Sequence, residues 1–204
     1  MSNAHKTIGI LGGMGPAASA NMYQKLLAYA QYQYGAVQDD EYPPVILYSL
    51  PLSGFDETGI VDGAAVTRQL IAGVETLERA GCDCIIIACN TVHVYLPQMQ
   101  AAVSIPILSI VEQARLEVVA YGYTRVGLFA SASTVRLGLY EQALSADGIS
   151  VLSPSPEQQL VMNHVIERVM GGVQNDEDVV RLKEIALAYT AQGAQAMVLG
   201  CTEI

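Results

Sequence analysis

Two cysteines in this chain stand where chemistry is most easily done. Cys89 ends the apolar run Cys84-Ile85-Ile86-Ile87-Ala88 and is followed by Asn90-Thr91; Cys201 ends the run Ala196-Met197-Val198-Leu199-Gly200 and is followed by Thr202-Glu203. An ordinary thiol has a pKa of about 8.5, lowered by helix N-termini or cations, so cysteine is available near neutral pH as either acid or base. Two such groups on opposite sides of a substrate can remove a proton from one face of a carbon and return one to the other, with roles reversed in the opposite direction. The backbone N–H groups of Asn90-Thr91 and Thr202-Glu203, where a strand gives way to a helix or turn, suit a carboxylate. The hydroxyls of Thr91 and Thr202 and the Asn90 amide add hydrogen-bond capacity.

Other titratable residues have competing readings. Cys82 and Cys84 are read as small buried hydrophobes, since they sit at or inside the apolar strand and do not form a CxxC pair. A zinc site from Cys82, Cys84 and Cys89 would need a fourth ligand and would draw on both faces of one strand, so no metal is expected. His93 either orients Cys89 or the substrate, or is structural. Glu203 either binds a substrate ammonium or tunes Cys201, or is a surface charge. Gly13-Met14-Gly15-Pro16-Ala17-Ala18 fits GxGxxA after a strand, but the next strand, Val45–Leu50, lacks the acidic residue that holds a ribose in dinucleotide folds. A tight turn lining a cleft is the better reading.

The elements that must position these residues follow from the patterning. Strands are expected at Thr7–Leu11, Val45–Leu50, Cys84–Cys89, Ile107–Ile110, Arg125–Ala130, Ser150–Leu152 and Ala196–Gly200. Between them run helices: Pro16 to about Tyr34, one capped by Asp62 with Val66, Leu70, Val74 and Leu77 on one face and closed by Gly81, one ending near Tyr121, and Val135–Ala146, Glu157–Met170 and Asp176–Gln192. Ser131–Thr134 reads as a small-residue turn. Strands alternating with helices imply parallel sheets.

The halves also repeat. Ile8-Gly9-Ile10-Leu11 before a small-residue loop matches Val126-Gly127-Leu128-Phe129 before another, and eight residues separate Gly81 from Cys89 and Gly193 from Cys201. The expected fold is α/β with two pseudo-symmetric lobes, residues 5–107 and 108–204, each a parallel sheet flanked by helices, with the active site in the cleft between them. Ligands of α/β sheets bind at strand C-terminal ends, where both cysteines stand.

Composition narrows the function classes. Twenty acidic against ten basic side chains give a net charge of −10, which repels phosphate backbones and anionic membranes, so no nucleic-acid or membrane partner is expected. No apolar run approaches the roughly 20 residues of a membrane span, and four cysteines without a secretory leader read as cytoplasmic thiols. Met1–Ala4 reads as a vector-derived remnant.

The segments Gly12-Gly13-Met14-Gly15-Pro16, Ala88-Cys89-Asn90-Thr91 with His93, and Gly200-Cys201-Thr202-Glu203 resemble, in order, those of the aspartate/glutamate racemase family. The resemblance implies a cofactor-independent isomerase, without pyridoxal phosphate, in which Cys89 and Cys201 are the two bases. It places Asn90, Thr91, Thr134 and Thr202 around the substrate carboxylate or amine and Met14 in one wall of the site, with a homodimer as the common assembly. Two departures matter. Aspartate-preferring members carry an arginine after the second strand and a lysine near the end of the long helix of the second lobe. Here those stretches read Pro51-Leu52-Ser53-Gly54-Phe55-Asp56-Glu57 and Arg168-Val169-Met170-Gly171, which fits a broader side-chain preference, with Arg68, Arg136 and Arg168 read as surface charges. Relatives also continue beyond the second cysteine motif with a loop and a helix, whereas this sequence stops at Ile204. The competing functions are a superfamily lyase or isomerase, of decarboxylase or maleate type, and an inactive small-anion binding module.

Overall fold

The computed structural model describes residues 6–56 and 59–204; Met1–Ala4 and Glu57 lie outside the described residues. The chain divides into two compact units, one of residues up to Gly54, Asp62–Cys89 and Tyr95–Ser109, the other of Phe55–Val61, Asn90–Val94 and Ile110–Ile204. The architecture is α/β, with a parallel sheet and flanking helices in each unit, as the alternation of patterns predicts. Among the described residues no helix is long and apolar enough to cross a membrane.

In chain order the first half comprises β1 (Ile8–Gly12), α1 (Pro16–Tyr34), β2 (Val45–Ser49), a short antiparallel pair β3 (Phe55–Asp56) and β4 (Gly59–Ile60), α2 (Gly63–Arg79), β5 (Cys84–Ile87), a 3-10 turn (Thr91–Tyr95), α3 (Leu96–Ala102) and β6 (Ile107–Leu108). The second half follows with α4 (Ile110–Ala120), β7 (Arg125–Ala130), α5 (Ala132–Leu137), α6 (Leu139–Ser145), β8 (Ser150–Leu152), α7 (Pro156–Met170), α8 (Asp176–Ala191) and β9 (Ala196–Gly200).

The first sheet has the order β2-β1-β5-β6 and the second β8-β7-β9. Their registers coincide. Gly9 of β1 pairs with Ile85 of β5, and Gly127 of β7 pairs with Met197 of β9, so Cys89 and Cys201 each fall four residues beyond an equivalent pair. The helix-to-strand turns match as well: Gly81 and Gly193 have φ of 90° and 88°, a region that residues with a Cβ rarely adopt. In each, a main-chain N–H just past the glycine bonds back to the helix, Cys82 to Leu77 at 3.2 Å and Ala194 to Tyr189 at 3.0 Å.

Burial follows the sequence pattern. The Asp62 side chain accepts from the Ala65 N–H at 2.9 Å and starts α2, whose Val66, Leu70, Val74 and Leu77 are all buried. Along β7 the alternation sends Val126, Leu128 and Ala130 into one core with Tyr140, Leu144 and Val198, and Phe129 into a second with Met162, Ile185 and Tyr189.

Three boundaries differ from expectation. The apolar run from Cys84 keeps strand pairing only to Ile87, so Cys89 stands beyond the strand rather than within it. The strand at Ile107 is two residues long, because Ile110 already opens α4. The helix expected over Val135–Ala146 is two helices, parted at Gly138, whose φ of 62° ends one and begins the next, and Ser131 caps the first of them directly.

Candidate active site

The main polar cluster forms in the second unit, where the 3-10 turn behind Cys89 meets the end of β7. The Thr91 hydroxyl lies 2.9 Å from that of Thr134 and 3.3 Å from that of Ser131, and the Ser131 hydroxyl donates to Thr134 Oγ1 at 3.2 Å. Ser131 also accepts from the Thr134 N–H at 3.3 Å, which fixes the start of α5. All three residues are buried. Three hydroxyls bonded in a ring hold three rotatable O–H donors in a small space, and any of them can turn to an entering carboxylate without backbone movement.

Asn90 stands beside this cluster, also buried, and its Oδ1 accepts from the Tyr140 hydroxyl at 2.5 Å. The amide NH2 is thereby the end left to meet an anion. Tyr140 in turn packs on the residue before Cys201: a Cβ built on Gly200 would lie 2.8 Å from Tyr140 Cε2. Burial pushes the Tyr140 phenol well above its ordinary range, and negative charge on Cys201 pushes it further. The phenol therefore stays protonated as a hydrogen-bond donor.

At the end of β9 the Cys201 thiol donates to Glu203 Oε2 at 3.2 Å, and the Thr202 hydroxyl donates to the same oxygen at 2.9 Å. In the first unit Cys89 is buried beyond the end of β5, and Met14 is buried in the loop after β1. That loop is held by Ser19 of α1, whose hydroxyl accepts from the Gly13 N–H at 2.8 Å and donates to the Gly15 carbonyl at 2.9 Å. A Cβ on Gly12 would lie 2.2 Å from the same hydroxyl oxygen, so the glycine run serves close packing of loop on helix.

Of the residues singled out from sequence, Asn90, Thr91 and Thr134 are thus brought into one cluster, and Cys201, Thr202 and Glu203 into a second that directly follows the Gly200 against which Tyr140 packs. Cys89 and Met14 belong to the first unit. Sequence reasoning missed Ser131 as a member of the hydroxyl ring and Tyr140 altogether. The signal for Ser131 was present in its N-cap pattern; Tyr140 is 50 positions from Asn90, with nothing local to mark it.

His93 accepts through Nε2 from the Ile110 N–H at 3.3 Å, at the start of α4. Burial raises the pKa of both Cys82 and Cys84, with the Asp83 charge adding to it, so these thiols are less easily ionised than ordinary ones. Among the described residues no group of three or more His, Cys, Asp or Glu is placed to hold a metal ion. Arg168 bonds Asp178 Oδ2 at 2.9 Å and the Val173 carbonyl at 2.6 Å, joining the end of α7 to the start of α8. Arg68 is exposed on α2; Arg136 is exposed on α5, with Nη2 3.3 Å from the Ser133 hydroxyl.

Comparison with known proteins gives a consistent picture. The sequence profile described as Asp/Glu/Hydantoin racemase matches residues 11–204. The broad specificity amino-acid racemase RacX of Bacillus subtilis (strain 168) is 30% identical over 197 residues, 97% of this chain and 85% of RacX. A crystal structure of an aspartate racemase homologue from Pyrococcus horikoshii OT3 superposes with a TM-score of 0.77 at 30% identity, covering 97% of this chain and 86% of that one. The Picrophilus torridus aspartate racemase shares the fold, with a TM-score of 0.79 at 24% identity and coverage of 98% and 82%. The chain spans about half the length of the curated glutamate racemases it matches.

Proposed function

The chain belongs to the Asp/Glu/hydantoin racemase family, whose named members are isomerases, and on that premise we propose that it is a cofactor-independent amino-acid racemase using Cys89 and Cys201 as its two acid/base groups. The observation that carries this reading is the shared register, which sets both thiols four residues beyond equivalent strand pairs in two matching sheets.

In the proposed reaction one cysteine thiolate takes the substrate α-proton: the C–H bond breaks, an S–H bond forms, and the electron pair passes to the α-carbon and its carboxylate. The other thiol then gives its proton to the opposite face. The two sulfurs end with exchanged protonation states, the state the reverse direction requires. The substrate carboxylate is bound by the Asn90 amide and the hydroxyls of Thr91 and Thr134, with Thr202 and Met14 completing the contacts to substrate. The Cys201 thiol's hydrogen bond to Glu203 supports Cys201 as the acid, with Cys89 then as the base. This chemistry draws on no cofactor.

The proposed substrate range is broad rather than confined to aspartate. Its support is the RacX relative together with the commitment of Arg168 to Asp178 and the lack of a basic residue in Pro51–Gly54. A homodimer is part of the reading, resting on the family resemblance alone, and light scattering on the purified protein tests it.

Proton NMR of an amino-acid panel in D2O is the direct test. Loss of the α-proton signal from both enantiomers of at least one amino acid is expected, and signals of a decarboxylated product would favour a lyase. Full retention of every α-proton signal refutes the racemase.

A further inference from the structure

We propose that Tyr140 is a positioning residue that holds Asn90 with its amide NH2 facing the substrate carboxylate and locks that setting to the end of the strand that carries Cys201. Only the kinetic consequence rests on the racemase reading; the orientation of Asn90 stands on the geometry.

The helical run after β7 breaks at Gly138. Because the backbone turns there, α6 starts afresh and delivers Tyr140 into the core, where 2% of it is exposed. Its ring lies over Gly200, and a Cβ there would also come within 3.0 Å of Leu128 Cδ1, so the absence of a side chain before Cys201 is what gives the ring its place. The phenol carries one O–H, and it donates to Asn90 Oδ1.

That single bond sets the direction of the amide. An asparagine side chain has an acceptor end and a donor end of nearly equal shape. Turned the other way, Asn90 would offer its NH2 to the Tyr140 oxygen, leave the buried phenol proton without an acceptor, and aim its carbonyl at the incoming carboxylate. A buried donor left unsatisfied is costly, so the tyrosine selects the productive orientation before substrate arrives. Protonation of the phenol is secured by its burial and by the Cys201 charge, so the selection persists when Cys201 is a thiolate.

Y140F keeps the ring over Gly200 and removes only the hydroxyl. We expect it to raise KM roughly tenfold while kcat changes by less than about threefold, because binding orientation rather than proton transfer is disturbed. The N90A/Y140F double variant should be no worse than N90A, since the hydroxyl acts through Asn90. A second readout needs no turnover: with 15N-asparagine labelling, the Asn90 side-chain NH2 pair, assigned by its loss in N90A, should shift and broaden in Y140F. Unchanged KM with an unchanged Asn90 NH2 pair overturns the proposal, and so does additivity of the two substitutions. If the wild-type protein exchanges no amino-acid α-proton, the racemase reading falls and the NMR pair alone decides the role of Tyr140. Should Y140F fail to fold, N90D carries the test. It keeps an acceptor for Tyr140 but has no N–H, so KM must rise at least as far; an unchanged KM for N90D overturns the proposal.

Discussion

The β1–β5 pair and the β7–β9 pair are the same frame carrying different fittings. Register, helix-to-strand glycine turn and cysteine position agree between them. The loops at the central strands do not. After β1 the chain uses Gly13-Met14-Gly15, and Gly15 precedes α1 without a side-chain cap. After β7 Ser131 alone precedes α5, its hydroxyl capping the helix, with Ser133 and Thr134 in the first turn. The first loop offers backbone and close packing; the second offers hydroxyls. Buried hydroxyls cluster in one unit, whereas the two thiols beyond the strand ends are divided, Cys89 in the first unit and Cys201 in the second.

The largest expected effect tests the equivalence of the thiols. Cys89→Ala and Cys201→Ala should each lower racemisation by at least about 10³-fold, measured from both enantiomers by optical rotation, because in the proposed mechanism each removes one of the two proton-transfer groups. Two fully active single variants would break the comparison at its centre.

The next effect is on stability and separates the halves. A Cβ on Gly127 would lie 2.4 Å from Tyr189 Cδ2 and 2.7 Å from Met197 Sδ, whereas one on Gly9 would lie 3.0 Å from Cys82 Sγ and 3.3 Å from Leu77 Cδ1. Gly127→Ala should therefore cost about 3 kcal/mol and Gly9→Ala about 1 kcal/mol in urea unfolding. Equal losses would mean that the aromatic Tyr189 gives way as easily as Cys82 and Leu77.

Smaller still is the cap. Ser131→Ala should destabilise by about 1 kcal/mol by leaving the start of α5 uncapped and, on the proposed function, also weaken substrate binding, because its hydroxyl belongs to the ring with Thr91 and Thr134. Gly15→Ala in the other loop has no cap to lose, so a fall in binding without a fall in stability there would sharpen the contrast. The smallest effect concerns the thiols inside the frame. Burial keeps Cys82 and Cys84 protonated past the pH at which an ordinary thiol ionises, so iodoacetamide labelling of either, read by peptide mass spectrometry, should start at higher pH than that of a model thiol. Labelling at the model-thiol pH would show that burial does not protect them.

Much of this was legible because it is local. Periodicity placed the α2 stripe of Val66, Leu70, Val74 and Leu77, and Asp62 marked its start. The spacing of Gly81 to Cys89 and of Gly193 to Cys201 revealed the repeat, since a left-handed turn and a short buried strand have fixed lengths in sequence. Less legible were the elements whose cause is not local. The pair β3–β4 is too short to show alternation, and the run Val135–Ala146 reads as one helix until the backbone at Gly138 is seen in its left-handed turn.

By itself the sequence determined the two parallel frames, the strand ends on which both cysteines stand, and membership of a racemase family. It did so because strand and helix periods, turn glycines and ordered motifs are properties of neighbouring residues. Only the tertiary structure decided that Thr91, Ser131 and Thr134 close one ring of hydroxyls and that Tyr140 orients Asn90. A hydrogen bond between residues 40 to 50 positions apart depends on where whole elements pack, and no pattern along the chain encodes that distance.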